Sequence, residues 1–382
     1  MSASSTTPPG SSGVGRPRPT VAAMPRYRPG RDASQADVDA DVGEAVKLAS
    51  NENPWPPPEP VRRAVAAAAE GANRYPDHLS TELRADLARH LGVDPASVAV
   101  GAGSTGLIQQ LVAAYVDPGD GIVYPWRSFE AYPVFAALAG AAVTTVGLVD
   151  HTVDVDAVAA AVTPSTRLVF IANPNNPTGT AVDTAALTRL CAAVTERVGH
   201  DTLVVVDEAY REFCDPALGD PVTDLVPHFP QVVVLRTFSK AHGLAGLRVG
   251  YAVAHPEVIA TLDATLAPFL VSAPAQAGAR AALECLDEIG AAVSRLVAER
   301  ERMRTALVEA GFTVPPSQAN FVWLPLGERT GEVYTHLERR GLVTRPFADE
   351  GVRITVADPA TGDRVIEALG SWIRTAGGGA AP

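Results

Sequence analysis

The sequence predicts an α/β protein: a large, mostly parallel seven-stranded sheet covered by helices, plus a smaller α/β domain drawn from the N- and C-terminal segments. Three observations predict it. Ala-rich stretches with helical spacing alternate with short β-branched runs along most of the 382 residues, the pattern of a parallel sheet with crossover helices. The β-branched runs are mostly continuous rather than alternating, which suggests burial on both faces. From about residue 285 the texture changes to a long Arg/Glu-rich amphipathic stretch followed by isolated short strands.

Taken in order, residues 1–20 are rich in Ser, Thr, Pro and Gly and carry too little apolar surface to repay ordering, so they are expected to stay outside the fold, as is AGGGAAP at 376–382. Residues 61–72 and 81–92 read as helices, the second with Ser80 as N-cap and Gly92 as its stop. SVAV (97–100), GIVYP (121–125), AAVTTVGL (141–148), RLVFIANP (167–174), TLVVVDEAY (202–210), QVVVLRTFSK (231–240) and VGYAVA (249–254) read as seven strands. A long helix over 291–311 follows, then strands at 320–326 and 351–357. The expected division is an N-terminal arm with part of the small domain (21–75), a large domain (76–284) and a small C-terminal domain (285–375), with the extended segment near 45–60 pairing with the latter.

Composition narrows the function. The 31 basic residues against 43 acidic ones give a net charge of −12, which disfavours a sequence-independent grip on nucleic acid or an anionic membrane. Cys191, Cys214 and Cys285 have no paired spacing, so neither a disulfide framework nor a cysteine metal site is expected, and a reducing, cytoplasmic setting fits best. No segment has the length and apolarity of a membrane span. Only Lys47 and Lys240 are lysines, so each is examined for chemistry that arginine cannot perform.

Four segments carry that chemistry. Gly101-Ala-Gly103-Ser-Thr-Gly106 follows a strand and opens a helix, where backbone N–H groups can hold a phosphate. A dinucleotide would also need an acid at the end of the next strand, and that strand ends in Pro125 and Trp126, so phosphate without a dinucleotide is preferred over either a dinucleotide or a plain turn. Asn173-Pro-Asn-Asn-Pro-Thr-Gly179 is a turn by composition, yet it leaves the carboxyl end of a buried strand, where open sheets bind ligands. Asp207 ends another buried strand, either as a helix cap or as a carboxylate awaiting a cation. Ser239-Lys240 ends a third, with Arg248 eight residues later. A ligand-face lysine, a nearby acid and a phosphate cradle together form the inventory for pyridoxal 5'-phosphate.

The sequence at this point resembles the fold type I pyridoxal-phosphate aminotransferases, within them the histidinol-phosphate and aromatic amino-acid group. SNENP (50–54), NRYPD (73–77), WRSFEAYP (126–133), NPNNPTG (173–179), DEAY (207–210), TFSKAHGLAGLRVGY (237–251), SQANFVW (317–323) and GVRIT (351–355) carry the resemblance. It implies that Lys240 is the Schiff-base lysine, that Asp207 pairs with the pyridine nitrogen and that Tyr210 and Asn176 bond the ring oxygen while Phe129 stacks on the ring. It assigns the phosphate to Gly103, Ser104, Thr105, Ser239 and Arg248, with Tyr75 reaching across a homodimer interface. Arg353 is expected to clamp the substrate carboxylate, with Asn53 and Tyr27 bordering the pocket and Arg345 available as an extra cation. The implied reaction moves the amino group of Phe, Tyr or Trp to 2-oxoglutarate by a ping-pong route. The alternative is histidinol-phosphate transamination.

Overall fold

The computed structural model describes residues 15, 17–22, 30–39 and 43–375. Its strands, in chain order, are β1 (Val46–Lys47), β2 (Val98–Gly101), β3 (Gly121–Trp126), β4 (Ala142–Val149), β5 (Thr152–Val153), β6 (Thr166–Ala172), β7 (Leu203–Asp207), β8 (Val232–Thr237), β9 (Gly250–Ala254), β10 (Phe321–Pro325), β11 (Leu342–Val343), β12 (Arg345–Phe347) and β13 (Gly351–Thr355). The central sheet runs β2-β9-β8-β7-β6-β3-β4-β5. Strands β4, β3, β6, β7 and β8 are parallel to their neighbours in that block. The two ends are antiparallel, with β9 between β2 and β8 and β5 folded back on β4. The eighth strand is the two-residue β5, too short to leave a periodic signal in the sequence.

Both faces of the sheet are covered because alternate residues of the same strand enter different cores. Val204, Val206, Val232 and Val234 pack on one side with the helices Thr81–Leu91 and Thr184–Val198. Val205, Val233 and Leu235 pack on the other with Leu107, Ile108 and Leu111 of the helix Gly103–Tyr115. A strand buried on both sides must be apolar at every position, which is why the runs read as continuous. Strand β4 departs from this: Ala142–Thr145 are exposed although the run is as β-branched as the others. It lies one position in from the sheet's edge, and composition does not record that location.

Two further expectations are corrected. Ser80 stands at the N-cap position but is left-handed (φ 53°) and makes no capping bond; Asp77 Oδ2 instead accepts from the Thr81 amide at 2.6 Å. Gly92 does end that helix, at φ 70°. The leader expected to stay outside the fold contains Arg18, whose guanidinium donates to Leu138 O at 2.6 Å, and a one-turn helix starts at Pro19. The terminal segment 376–382 lies outside the described residues.

Beyond the central sheet, β10, β13 and β12 form an antiparallel three-stranded sheet in that order. Strand β1 pairs in parallel with β11, so the early extended segment does join the late part of the chain. The long helix spans Leu286–Glu309, five residues earlier at its start than the 291 expected. The order in which successive strands are added reverses at β3, which lies between β4 and β6 and is parallel to both. The loops leaving the carboxyl ends of β3 and β6 therefore diverge and open a crevice between them, the usual ligand position in such sheets.

Candidate active site

A cavity of about 280 Å³ opens at that crevice. Its floor is set by strand ends. Asp207 closes β7, Thr237 closes β8, and Lys240 follows three residues later, so all three reach the same face of the sheet.

Asp207 is 4% exposed. Its Oδ2 accepts a hydrogen bond from the Tyr132 hydroxyl at 3.1 Å, and its Oδ1 is buried without a hydrogen-bond partner among the described residues. Burial pushes its pKa up to about 6, opposed by the Tyr132 hydroxyl and the Ala209 amide. A buried carboxylate with one oxygen unsatisfied is costly in an apolar surround, so this group is built for a cationic or N–H partner entering from the cavity. The neighbouring Glu208 faces elsewhere, bonded to Arg236 at 2.7 Å with both side chains nearly inaccessible.

Lys240 donates from Nζ to the carbonyl of Ser50 at 3.0 Å. Burial first, then the positive charges of Arg353 and Arg248, together lower its pKa to about 8, with Glu52 opposing them. A lysine in that range supplies a substantial neutral fraction at neutral pH, the form that attacks a carbonyl or moves a proton. Lys47, the other lysine, is instead paired with Glu52 at 2.9 Å.

The anion-binding end is assembled from three places. Gly103 starts its helix at φ 72°, and a Cβ there would sit 2.8 Å from Arg248 Nη2, so glycine lets the guanidinium approach the helix start. Ser104 and Thr105 follow on the cavity wall. Ser239 faces them, receiving a bond from the Thr237 hydroxyl at 2.9 Å and lying 3.4 Å from Arg248 Nη1. The helix-start amides, two hydroxyls and a guanidinium suit a phosphate. The dinucleotide reading fails on topology: β2 is an edge strand antiparallel to β9, not the first strand of a parallel βαβ unit.

The loop 173–179 divides its labour. Asn173 and Asn175 are structural, donating to Val182 O at 2.9 Å and Arg127 O at 3.0 Å. Asn176 faces the cavity and accepts from Arg353 Nη1 at 2.5 Å. Arg353, on β13, also donates from Nη2 to Ala49 O at 2.5 Å. Tyr210 lines the cavity and accepts from Asn51 Nδ2 at 2.9 Å, and Phe129 forms part of the opposite wall.

Other expected residues lie differently. Asn53 does not border this cavity; its amide donates to Ala241 O at 3.0 Å and its carbonyl caps the Trp55 amide, so Asn51 and Glu52 take the wall position from that segment. Tyr75 is 81% exposed and stacked on Phe269 at 4.5 Å, away from the cavity of its own chain. Arg345 lines the cavity, but its Nη2 is bonded to Glu130 Oε2 at 2.8 Å. Tyr27 lies outside the described residues. Sequence reasoning missed Tyr132 and Asn51, although both fall in motifs it singled out; only the fold reveals which motif positions point inward.

The model of the family "Aminotransferase class I and II" matches residues 44–369. The chain belongs to that family. It is 48% identical over 360 residues to the aromatic amino acid aminotransferase of Mycolicibacterium paratuberculosis, covering 94% of this chain and 98% of the relative. It is 50% identical over 347 residues to the aromatic amino acid aminotransferase of Streptomyces coelicolor, covering 91% and 94%. Among solved structures it is similar to the histidinol-phosphate aminotransferase of Sinorhizobium meliloti in complex with pyridoxal-5'-phosphate, with a TM-score of 0.86, 29% identity, and 96% and 99% of the two chains covered.

The aminotransferase is pyridoxal-phosphate dependent, and its own atoms fit that cofactor. The orphaned Asp207 Oδ1 suits a pyridinium N–H, Lys240 supplies an amine for an aldehyde, and the cradle around Gly103 and Arg248 suits a phosphate. No helix among the described residues is long and apolar enough to cross a membrane.

Proposed function

We propose that this aminotransferase moves the amino group of Phe, Tyr or Trp to 2-oxoglutarate in a ping-pong cycle. The observation that carries the choice of donor is the Glu130–Arg345 pair. A neutral side chain leaves that ion pair intact, whereas a phosphate-bearing donor has to displace the Glu130 carboxylate from Arg345, the arginine that joins Arg248 and Arg353 in lining the cavity among the described residues. Phe129 lines the cavity and the buried Trp323–Phe347 pair packs behind Arg345 and Arg353, an apolar surround that suits a flat side chain. The names of the relatives at 47–50% identity agree with this reading.

When bound, pyridoxal phosphate supplies an electron sink for the carbanion left as the substrate's α-proton departs. Asp207, a buried carboxylate with Oδ1 unsatisfied, would make a positive charge on the cofactor's ring nitrogen favourable. Lys240, with its lowered pKa, is the group that takes up and returns the α-proton. Arg353 binds and orients the α-carboxylate through its fork, while Asn176 and Ala49 O fix the guanidinium plane. Tyr210, held by Asn51, donates toward the ring's phenolic oxygen.

In the same reading Tyr75 serves the phosphate of a second copy in a homodimer, in keeping with its exposure and its distance from its own cavity. Residues 76–284 form the large domain, and 285–375 form the small one together with part of the described residues of 21–75, the remainder serving as an N-terminal arm. A cytoplasmic location suits the three free cysteines. A transamination panel tests the donor: comparable rates with Phe, Tyr and Trp and little with histidinol phosphate are expected, and the reverse order would establish the histidinol-phosphate reading, which the similarity to the Sinorhizobium meliloti structure supports.

A further inference from the structure

Resting on that reading, we propose that Glu130 is a charge-selecting residue. Its carboxylate occupies Arg345 while the bound side chain is uncharged, and yields Arg345 to a substrate whose side chain ends in a carboxylate. A ping-pong aminotransferase of this kind receives both classes in one pocket: a neutral aromatic donor, then a dicarboxylic acceptor.

The arrangement starts in the sheet register. Arg345 and Arg353 are direct partners across the antiparallel β12–β13 pair. Residues so opposed carry their side chains on one face with Cβ atoms about 5 Å apart, and two like charges there repel. Both guanidiniums also lie over the same ring, 5.8 and 5.9 Å from the centre of Phe347. The repulsion is resolved differently on the two sides. Arg353 donates to Asn176 Oδ1 and Ala49 O, which orient its fork at the cavity wall. Arg345 is matched by the full charge of Glu130. Arg127, 5.3 Å from the same ring, is matched by Glu350. The wall thus holds Arg353 for the α-carboxylate and, beside it, a second cation masked by an acid.

The mask is built to come off. The Glu130 side chain is 35% exposed against 15% for Arg345, so the acid can swing to water while the arginine remains in the wall. Glu130 also sits at the N-cap of the helix Ala131–Ala139 and makes no side-chain capping bond there. A released carboxylate meets the positive end of that helix, which lowers the cost of leaving Arg345. A partly exposed ion pair contributes little to stability by itself, so a ligand carboxylate competes with it readily.

Calorimetry on the holoenzyme tests this with two unreactive probes, glutarate as dicarboxylate and 3-phenylpropanoate as aryl monocarboxylate. Arg345→Gln removes the cation, and the ratio of the glutarate to the phenylpropanoate dissociation constant should rise about 10- to 100-fold, the loss of one charge-assisted contact. Glu130→Gln removes the competitor, and the same ratio should fall about 2- to 5-fold. Glu130→Asp, which shortens the acid but keeps its charge, should hold the ratio closer to wild type than Glu130→Gln does. A ratio that stays fixed in Glu130→Gln, or that rises there as in Arg345→Gln, overturns the proposal, as does equal weakening of both probes in every variant. Wild-type protein that binds glutarate but not phenylpropanoate would instead defeat the aromatic reading, and the glutarate response to Glu130→Gln would still judge the pair.

Discussion

The reacting amine offers the sharpest numerical expectation. Lys240 titrates at about 8 rather than its ordinary 10.5, through burial first and then the charges of Arg353 and Arg248, opposed by Glu52. At pH 7 about one amine in ten is then neutral, against about one in three thousand for an unperturbed lysine, a gain of roughly 300-fold in nucleophile. Arg353→Gln removes the largest repelling charge while leaving burial in place, so the midpoint should climb by about half a unit to one unit. Glu52→Gln should move it the other way. Cofactor-free protein labelled with a small amine reagent between pH 6 and 11, followed by mass spectrometry of the Lys240 peptide, reads the midpoint directly. The chain's only other lysine, Lys47, falls in a separate peptide and does not confuse the signal. A wild-type midpoint near 10.5, or a fall in Arg353→Gln, would refute the electrostatic account of this amine.

Four further outcomes follow from the geometry. Asp207→Asn should retain cofactor yet lose turnover by about 100-fold or more, as removal of one preorganised charge at a reacting centre does. In cofactor-free protein the raised Asp207 pKa favours the folded state fully below 3.8, and that contribution, at most about 3 kcal/mol, disappears as pH rises through 6. Denaturant midpoints between pH 4 and 7 should show this decline in wild type and a flatter curve in Asp207→Asn. Gly103→Ala places a methyl against Arg248 at a positive φ and should weaken cofactor affinity about tenfold or more, measured by equilibrium dialysis. Arg236→Met strands the buried Glu208 carboxylate and should destabilise the fold by about 3–5 kcal/mol in urea unfolding, without relocating the cofactor.

The sequence disclosed the sheet because its strands are buried on both sides and so advertise themselves as unbroken Val and Ile runs. It could not disclose that β4 is exposed, since the same residue types serve both situations and the difference lies in strand order. The placement of Asp207 was legible because it follows the apolar run Leu203–Val206 directly, and that of Lys240 because it comes five residues after the run Val232–Leu235. Asn51 and Asn53 illustrate the opposite case: two asparagines two residues apart, of which the backbone turn at Asn51 (φ 54°) selects the first for Tyr210 and sends the second to Ala241. The neutralisation of Arg345 was illegible for a related reason. Glu130 and Arg345 are 215 residues apart, and only tertiary packing brings acid and base together.

The central claim is that Lys240 is the amine that carries the cofactor, opposite Asp207. Borohydride reduction of the holoenzyme followed by peptide mass mapping tests it most directly. The account predicts the added cofactor mass on the peptide containing Lys240 and none on that containing Lys47. Cofactor found on Lys47, or on neither lysine, would contradict it.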